Sequence, residues 1–208
     1  MRCLPERGRR ARQVWRAFLF RMSWSLGWVV LRLTCRIDIE GEVPACPAVL
    51  VSNHPSYLDG PLALYLSPRV RAIAKPNPVL LVRMAYALLD LLITNRGAVK
   101  AAEEHLARGG LVWIVPEGHL SRGPLGRPHQ GAARLAAATG APIVTAAMVG
   151  TAGLRLRDWR PWRRPAVRVV LGQPRLVRPD DDLDAVSHGF MRELSQATGV
   201  PYVGDAGS

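Results

Sequence analysis

The residues best suited to chemistry lie in a short polar run, 53–59, that follows a continuous apolar stretch. On one continuous helix, the spacing of His54 and Asp59 would place their side chains about 140° apart. Pro55 removes this objection, because a proline cannot continue a strand's hydrogen bonding and also restrains the residue before it. We therefore expect His54 in a turn and Asp59 in the first turn of the next helix, where the turn can bring the imidazole onto the carboxylate.

A histidine held in this way has the chemistry of a general base. The carboxylate of Asp59 would hold the tautomer of His54 whose other ring nitrogen is free to take a proton from a hydroxyl group. The alternative is that Asp59 only caps a helix and His54 is a satisfied loop residue, and the pair on its own leaves both interpretations open.

Two further polar segments also follow apolar runs. Glu117 and Gly118 come after the run 111–115, with Arg122 close behind, and they form a candidate polar site, although Pro-Glu-Gly is also an ordinary turn. Arg96 stands at the mouth of another strand just before a helix, which suits it to a phosphate group. Ligands of open α/β sheets bind outside the carboxyl ends of the strands, so we look for the site at these strand ends.

The elements that must position these residues alternate along the chain between strands and helices. Short apolar runs predict strands at 36–41, 48–53, 70–74, 91–94, 111–115, 142–149 and 167–171. Helical patterns follow Asp59 and occupy 78–89, 98–108, 130–139 and 183–198. This alternation predicts an α/β fold with a mixed, largely parallel sheet flanked by helices.

The N-terminal segment, residues 9–35, has the pattern of an amphipathic helix. Its apolar stripe consists of Val14, Trp15, Phe18, Leu19, Met22, Leu26 and Val29, its cationic face of Arg9, Arg12 and Arg16, and Trp24 and Trp28 add further aromatic rings. Such a helix suits the headgroup boundary of an anionic bilayer. The alternative is that the apolar stripe packs on the core of the domain.

The composition sets outer limits. The chain has 208 residues, 49% of them hydrophobic, and a formal net charge of +12, which predicts one globular domain that seeks phosphate groups and excludes a disordered chain. The longest uncharged run, 22–31, is too short to span a bilayer, and we expect no cleaved secretory signal. Three cysteines without a CxxC pair predict neither a disulfide framework nor a zinc site.

Together, in this order and spacing, these segments resemble the glycerolipid acyltransferase family, typified by 1-acylglycerol-3-phosphate acyltransferase. Residues 53–59 match the family's NHxxxxD block, 115–118 match the start of its FPEGTR block, and Arg96 stands where its second block ends in arginine. The resemblance also takes in Lys75, Gly131 and residues 141–144, and it covers roughly residues 36–174.

The resemblance implies transfer of a fatty acyl chain from acyl-CoA or acyl-carrier protein to a hydroxyl of a lysophospholipid. Lysophosphatidic acid is the first expectation for the acceptor, with another lysolipid or a glycolipid as the alternative. It implies His54 as general base and Asp59 as the residue that orients it, with no metal and no bound cofactor. The substrate-binding residues it implies are Asn53, Ser56, Arg96, Glu117, Gly118 and Arg122.

The sequence also departs from the family pattern. His119 and Leu120 stand where the family has Thr-Arg, so the arginine that grips the acceptor phosphate is missing and Arg122 is the candidate substitute. Leu91 replaces the leading glycine of the second block, and Thr145 stands where a proline is common. These changes bear on the identity of the acceptor and leave the catalytic pair intact.

We divide the chain into a membrane-associating helix (1–35), an acyltransferase domain (36–200) and a disordered tail (201–208). We expect a peripheral protein on the cytoplasmic face of the cell membrane, with anionic lipids, the lysolipid and the acyl donor as partners.

Two other functions are open to the same sequence. A nucleic-acid binder is suggested by the arginines and tryptophans of residues 155–164, but that loop serves equally well as a second membrane contact. Only the membrane interpretation also explains the N-terminal helix, so we expect no nucleic-acid partner. A catalytically inactive membrane adaptor is the third possibility, and the intact pair of His54 and Asp59 argues against it.

Overall fold

A mixed, largely parallel sheet forms the centre of the molecule. The computed structural model describes residues 6–75, 92–93, 97–154 and 161–204. The strands are β1 Arg36–Glu40, β2 Ala48–Val51, β3 Val70–Ala74, β4 Leu92–Ile93, β5 Leu111–Ile114, β6 Ile143–Val149 and β7 Ala166–Leu171. The helices are α1 Glu6–Thr34, α2 Asp59–Leu66, α3 Ala98–Ala107, α4 Gly131–Thr139 and α5 Leu183–Thr198, and a 3₁₀ turn covers Pro161–Arg163.

The strand order places five carboxyl ends at one edge of the sheet. Within the described ranges the order is β1-β7-β6-β2-β5-β3-β4, and β2 lies between β6 and β5, parallel to both. Leu50 of β2 is in register with Trp113 on one side and Val144 on the other. Among the described strands only β6 and β7 pair antiparallel, so β7 and β1 run against the other five. The segments that follow β2, β3, β4, β5 and β6 therefore emerge at the same edge.

Alternating side chains of β2 divide the core into two layers. Val49 and Val51 face the layer formed with α3, α4 and α5. Ala48 and Leu50 face the opposite layer, which includes buried residues of α1 and α2. Because both faces of β2 are covered, the strand is apolar throughout, as expected of a parallel strand at the centre of a sheet.

The first helix packs on the domain through one face. The indole N–H of Trp24 donates to the backbone oxygen of Leu64 on α2 at 3.0 Å, and Leu31 is buried in the core layer shared with α2. Gly27 leaves room at this contact for the hydroxyl of Tyr65, which would have to move if a Cβ were present.

The opposite face of α1 is apolar and exposed. It consists of Trp15, Phe18, Leu19, Met22, Leu26, Val29, Val30 and Leu33. At 100° per residue these side chains fall within an arc of about 120°. The predicted stripe therefore does not pack on the core, which was the alternative raised by the sequence; the helix has a second face for that purpose. The side chains of Val14, Arg9, Arg12 and Arg16 lie outside the described part.

No helix among the described residues is both long enough and apolar enough to cross a membrane.

The predicted elements that fall within the described residues are present with small changes at their ends. The strands and helices match the predicted order, and the 3₁₀ turn at Pro161–Arg163 is the one described element that the pattern did not predict. The predicted helix 78–89 and the ends of the predicted strand 91–94 lie outside the described residues.

The first residues of the segment predicted as a disordered tail contact the domain. Pro201 and Val203 form backbone hydrogen bonds with Leu125, and Tyr202 forms a bridge with the same residue. The tail is held because Leu125 lies in a loop that offers it both a backbone N–H and a backbone oxygen. Residues 205–208 lie outside the described part of the chain.

Candidate active site

The structure brings His54 and Asp59 together where β2 ends and α2 begins. Nδ1 of His54 lies 3.1 Å from Oδ2 of Asp59. The same carboxylate oxygen accepts a hydrogen bond from the backbone N–H of Ser56 at 2.7 Å, which closes the turn around Pro55. Asp59 is fully buried, whereas the side chain of His54 keeps 20% of its surface exposed. The pair therefore consists of a buried carboxylate and an imidazole that solvent can reach.

Contacts with neighbouring strands fix the imidazole ring. The ring lies edge-on to Trp113 of β5, with the two ring centres 5.7 Å apart, and the backbone oxygen of His54 accepts from the N–H of Ser121. Trp113 is held in turn, because its indole N–H donates to the hydroxyl of Ser52 at 2.6 Å. With Nδ1 turned to Asp59, Nε2 makes no hydrogen bond with the described residues and is left for a substrate.

Asn53 and Ser56 hold the frame of the site. The side-chain amide of Asn53 donates to the backbone oxygen of Met148 at 3.0 Å and accepts from its N–H at 2.7 Å. The hydroxyl of Ser56 donates to the backbone oxygen of Leu154 at 2.8 Å and accepts from the N–H of Leu58. Both side chains are buried and bonded to backbone, so they hold the turn, and the substrate contact predicted for them stays a prediction.

Glu117 is a buried carboxylate at the end of the next strand, β5. Its Oε1 accepts from the backbone N–H of Gly126 at 2.8 Å. Gly118, with φ of +67°, closes a tight turn through its N–H to the backbone oxygen of Val115 at 3.0 Å. This backbone conformation favours glycine, so Gly118 shapes the turn that directs Glu117 inward.

The residues that depart from the family pattern lie in different surroundings. His119 is exposed, and its Nδ1 lies 2.7 Å from the backbone oxygen of Glu117. The hydroxyl of Thr145 donates to Glu193 of α5 at 3.3 Å, so this residue links β6 to a helix. Leu91 lies outside the described residues.

Arg122 is the one described residue of the two arginines predicted to meet an anionic substrate. Arg122 is exposed and forms no hydrogen bond or ion pair with the part of the chain that the structure describes. Its place on the loop after β5 leaves it available to an anionic group. Arg96 lies outside the described residues.

Thr151 belongs to the same edge, and the sequence analysis missed it. It follows β6, is fully buried, and its hydroxyl has no hydrogen-bond partner among the described residues. The other buried side-chain oxygens without a partner in those residues are Oδ1 of Asp59 and Oε2 of Glu117. All three follow neighbouring strands at one edge. Buried polar atoms are normally paired, so three such oxygens at one edge of the sheet mark a candidate site. The signal in the sequence was Thr151's position directly after an apolar strand.

Within the described ranges, no group of three or more His, Cys, Asp or Glu side chains could hold a metal ion.

Fold and site together define the class of the protein. It is an α/β domain in which a His–Asp pair sits at the carboxyl edge of a parallel sheet, beside a buried carboxylate from the adjacent strand. The family model described as Acyltransferase matches residues 36–149, more than half of the chain. The chain therefore belongs to the acyltransferase family.

Known relatives and a solved structure agree with this assignment. Over 130 residues the chain is 32% identical to the chloroplastic 1-acyl-sn-glycerol-3-phosphate acyltransferase LPAT1 of Arabidopsis thaliana, and 31% identical to the chloroplastic enzyme BAT2 of the same name from Brassica napus. Each alignment covers 56% of this chain but only 36% and 38% of the two relatives, so the chain spans little more than a third of their length.

The crystal structure of the 1-acyl-sn-glycerophosphate (LPA) acyltransferase PlsC from Thermotoga maritima has the same fold. It matches with a TM-score of 0.66 at 22% identity, over 89% of this chain and 82% of that chain. The predicted fold, a largely parallel sheet flanked by helices and preceded by an N-terminal helix, is confirmed.

The contact with Asp59 predicts the tautomer of His54. Because a carboxylate only accepts hydrogen bonds, the neutral ring should carry its proton on Nδ1 and leave Nε2 unprotonated. Nitrogen-15 NMR of labelled histidines, assigned with His54→Ala, measures this directly. In Asp59→Ala the preference should be lost. A wild-type ring protonated on Nε2 would contradict the arrangement.

Proposed function

We propose that the protein is an O-acyltransferase that moves a fatty acyl chain from the thioester of acyl-CoA or acyl-carrier protein to a hydroxyl of a lysophospholipid. The observation that carries the proposal is the contact of 3.1 Å between His54 and the buried carboxylate of Asp59. With Nδ1 of His54 in contact with Asp59, Nε2 remains available at the edge of the sheet where ligands of such sheets bind. The family membership supplies the type of group transferred.

In the proposed reaction, Nε2 of His54 takes the proton of the acceptor hydroxyl as its oxygen attacks the thioester carbonyl. A carbon–oxygen bond forms, the carbon–sulfur bond breaks, and the sulfur leaves as a thiolate that receives the proton from the imidazolium. Asp59 stabilises the imidazolium while it exists. A positioned base of this kind contributes about 10²–10⁴-fold to the rate.

The acceptor that we propose first is lysophosphatidic acid, which would give phosphatidic acid. Its support is that both curated relatives are named for 1-acyl-sn-glycerol-3-phosphate. Glu117 and Gly118 form the wall of the acceptor site, with Arg122 and Arg96 as partners for a phosphate. The His119–Leu120 departure favours a second candidate, a different lysolipid or a glycolipid, because it removes the arginine of the family block.

We further propose that the exposed apolar face of α1 lies on an anionic membrane, so that the protein is peripheral on the cytoplasmic face of the cell membrane. Arg32 stacks on Trp28 at one side of α1, and the guanidinium of Arg164 donates to the backbone oxygen of Arg32. The exposed Trp162 stands next to α1 in the 3₁₀ turn. Apolar, aromatic and cationic groups thus adjoin, which is the combination that an anionic interface binds.

The position of α1 fits a lipid substrate. The helix packs on α2, and α2 begins with Asp59. A membrane bound by α1 therefore lies on the same side of the sheet as α2, the helix that carries Asp59.

The activity is tested with purified protein, palmitoyl-CoA and a panel of lysolipids in vesicles, following thiol release and the lipid products by mass spectrometry. We expect one lysolipid to be acylated, and His54→Ala to lower the rate by about 10²–10⁴-fold. Leu176→Ala, which trims an exposed side chain next to the residue that pairs with Ile143 at the start of β6, lies at the opposite edge of the sheet; it is the control and should retain activity. A folded His54→Ala variant as active as the wild type would refute the proposed base.

The membrane contact is tested with one substitution at two sites of equal exposure. Leu26 on α1 and Leu176 on the domain are 66% and 69% exposed. In flotation with phosphatidylglycerol vesicles we expect Leu26→Glu to weaken binding by about tenfold or more, because a buried leucine contributes about 1.5–3 kcal/mol. Leu176→Glu should bind as the wild type does. Equal binding of the two variants would contradict the assignment of the face.

A further inference from the structure

The end of the described chain forms a short strap across the loop that carries Glu117. Residues 201–203, here called the C-terminal strap, run parallel to Leu125. The backbone oxygen of Pro201 accepts from the N–H of Leu125 at 2.8 Å, and the N–H of Val203 donates to the oxygen of Leu125 at 2.9 Å. Leu125 itself is buried in the core layer that includes α5. The strap thus uses both backbone hydrogen-bonding groups of this residue.

One peptide group connects the strap to Glu117. The oxygen of Leu125 and the N–H of Gly126 belong to the same planar peptide unit. The Leu125 oxygen accepts from the N–H of Val203, and the Gly126 N–H donates to Oε1 of Glu117 at 2.8 Å. A rotation of the peptide plane would break both hydrogen bonds together. Bonds on the two ends of one peptide also polarise each other, so each strengthens the other.

The strap is anchored on α5, which also holds the far end of the loop. The hydroxyl of Tyr202 hydrogen bonds with Nδ1 of His188, and Nε2 of His188 lies 3.4 Å from the carboxylate of Asp184. Asp184 in turn accepts from the side-chain amide of Gln130 at 3.1 Å, just before α4 begins. The loop is therefore fixed near its middle and at its end by the C-terminal part of the chain.

From these contacts we infer that the C-terminal strap positions Glu117, so that residues distant in sequence from the site set the affinity for the acceptor. The inference rests on the proposed function, in which Glu117 lines the acceptor site. Without the strap, the peptide after Leu125 is free to rotate and the carboxylate of Glu117 loses the hydrogen bond that orients it. Because a misplacement of about 1 Å in a site costs up to about 10²-fold, acceptor KM should rise strongly.

Val203 offers a matched pair of variants. Val203→Pro removes the N–H that holds the peptide, whereas Val203→Ala keeps it and changes only a side chain that is half exposed. We expect Val203→Pro to raise the acceptor KM by about tenfold or more with a smaller change in kcat. Val203→Ala should behave as the wild type, and thermal unfolding of all variants shows whether the fold is intact.

A double-mutant cycle separates positioning from general stability. If the strap acts through Glu117, Val203→Pro should change acceptor KM little further in a Glu117→Ala background. Fully additive losses would overturn the inference, because the strap would then act on something other than Glu117. An unchanged acceptor KM in Val203→Pro would overturn it as well.

Hydrogen exchange of the Gly126 amide gives a readout that does not depend on activity. Val203→Pro should speed its exchange by about tenfold or more, corresponding to the loss of a coupled pair of hydrogen bonds, and Val203→Ala should leave it unchanged. Equal protection in both variants would overturn the inference. If the wild type acylates no lysolipid, the proposed function fails, while the exchange of Gly126 still decides whether the strap orients this peptide.

Discussion

One carboxylate oxygen organises the site of this protein. Oδ2 of Asp59 accepts from the N–H of Ser56, which closes the turn, and contacts Nδ1 of His54, which orients the ring. Folding of the turn therefore also orients His54, the base of the proposed reaction. A buried carboxylate is costly unless it is hydrogen-bonded, and here the backbone supplies part of that compensation before any substrate binds.

The rest of the fold serves to hold that turn against its neighbours. The central strand β2 delivers the turn to an edge shared with the loops after β5 and β6. Asn53 ties it to Met148 on one side, and Trp113 supports the ring on the other. On the outer layer, α1 packs on α2 with one face and presents the other to the surroundings. In the proposed function, this arrangement connects a face of α1 that lies on lipid with a base that acts on a hydroxyl group.

Much of this could be predicted from local signals in the sequence. Pro55 predicted a turn at His54 that could bring the ring to Asp59, and the alternation of strands and helices predicted the sheet. The features that could not be predicted depend on contacts between segments that are distant in the sequence. Thr151 carries no local signal beyond its place after a strand. The tail from Pro201 is short and contains two glycines, and its contacts with Leu125, far earlier in the chain, leave no local pattern.

The packing of the first helix also could not be predicted from the sequence alone. Its exposed stripe was visible in the spacing of apolar residues, but the packing face was not distinguishable from it until α2 supplied the partner of Trp24. A helix that is apolar on two sides can contact two different neighbours, and the sequence alone identifies neither of them.

The central claim is that Asp59 acts through His54, and a double-mutant cycle on acyl transfer tests it most directly. The rates of His54→Ala, Asp59→Ala and the double variant are compared with the wild type under saturating acyl donor. We predict that Asp59→Ala has almost no further effect once His54 is absent, because residues that act as a unit are strongly non-additive. Losses that multiply independently would contradict the account and leave Asp59 a structural residue only.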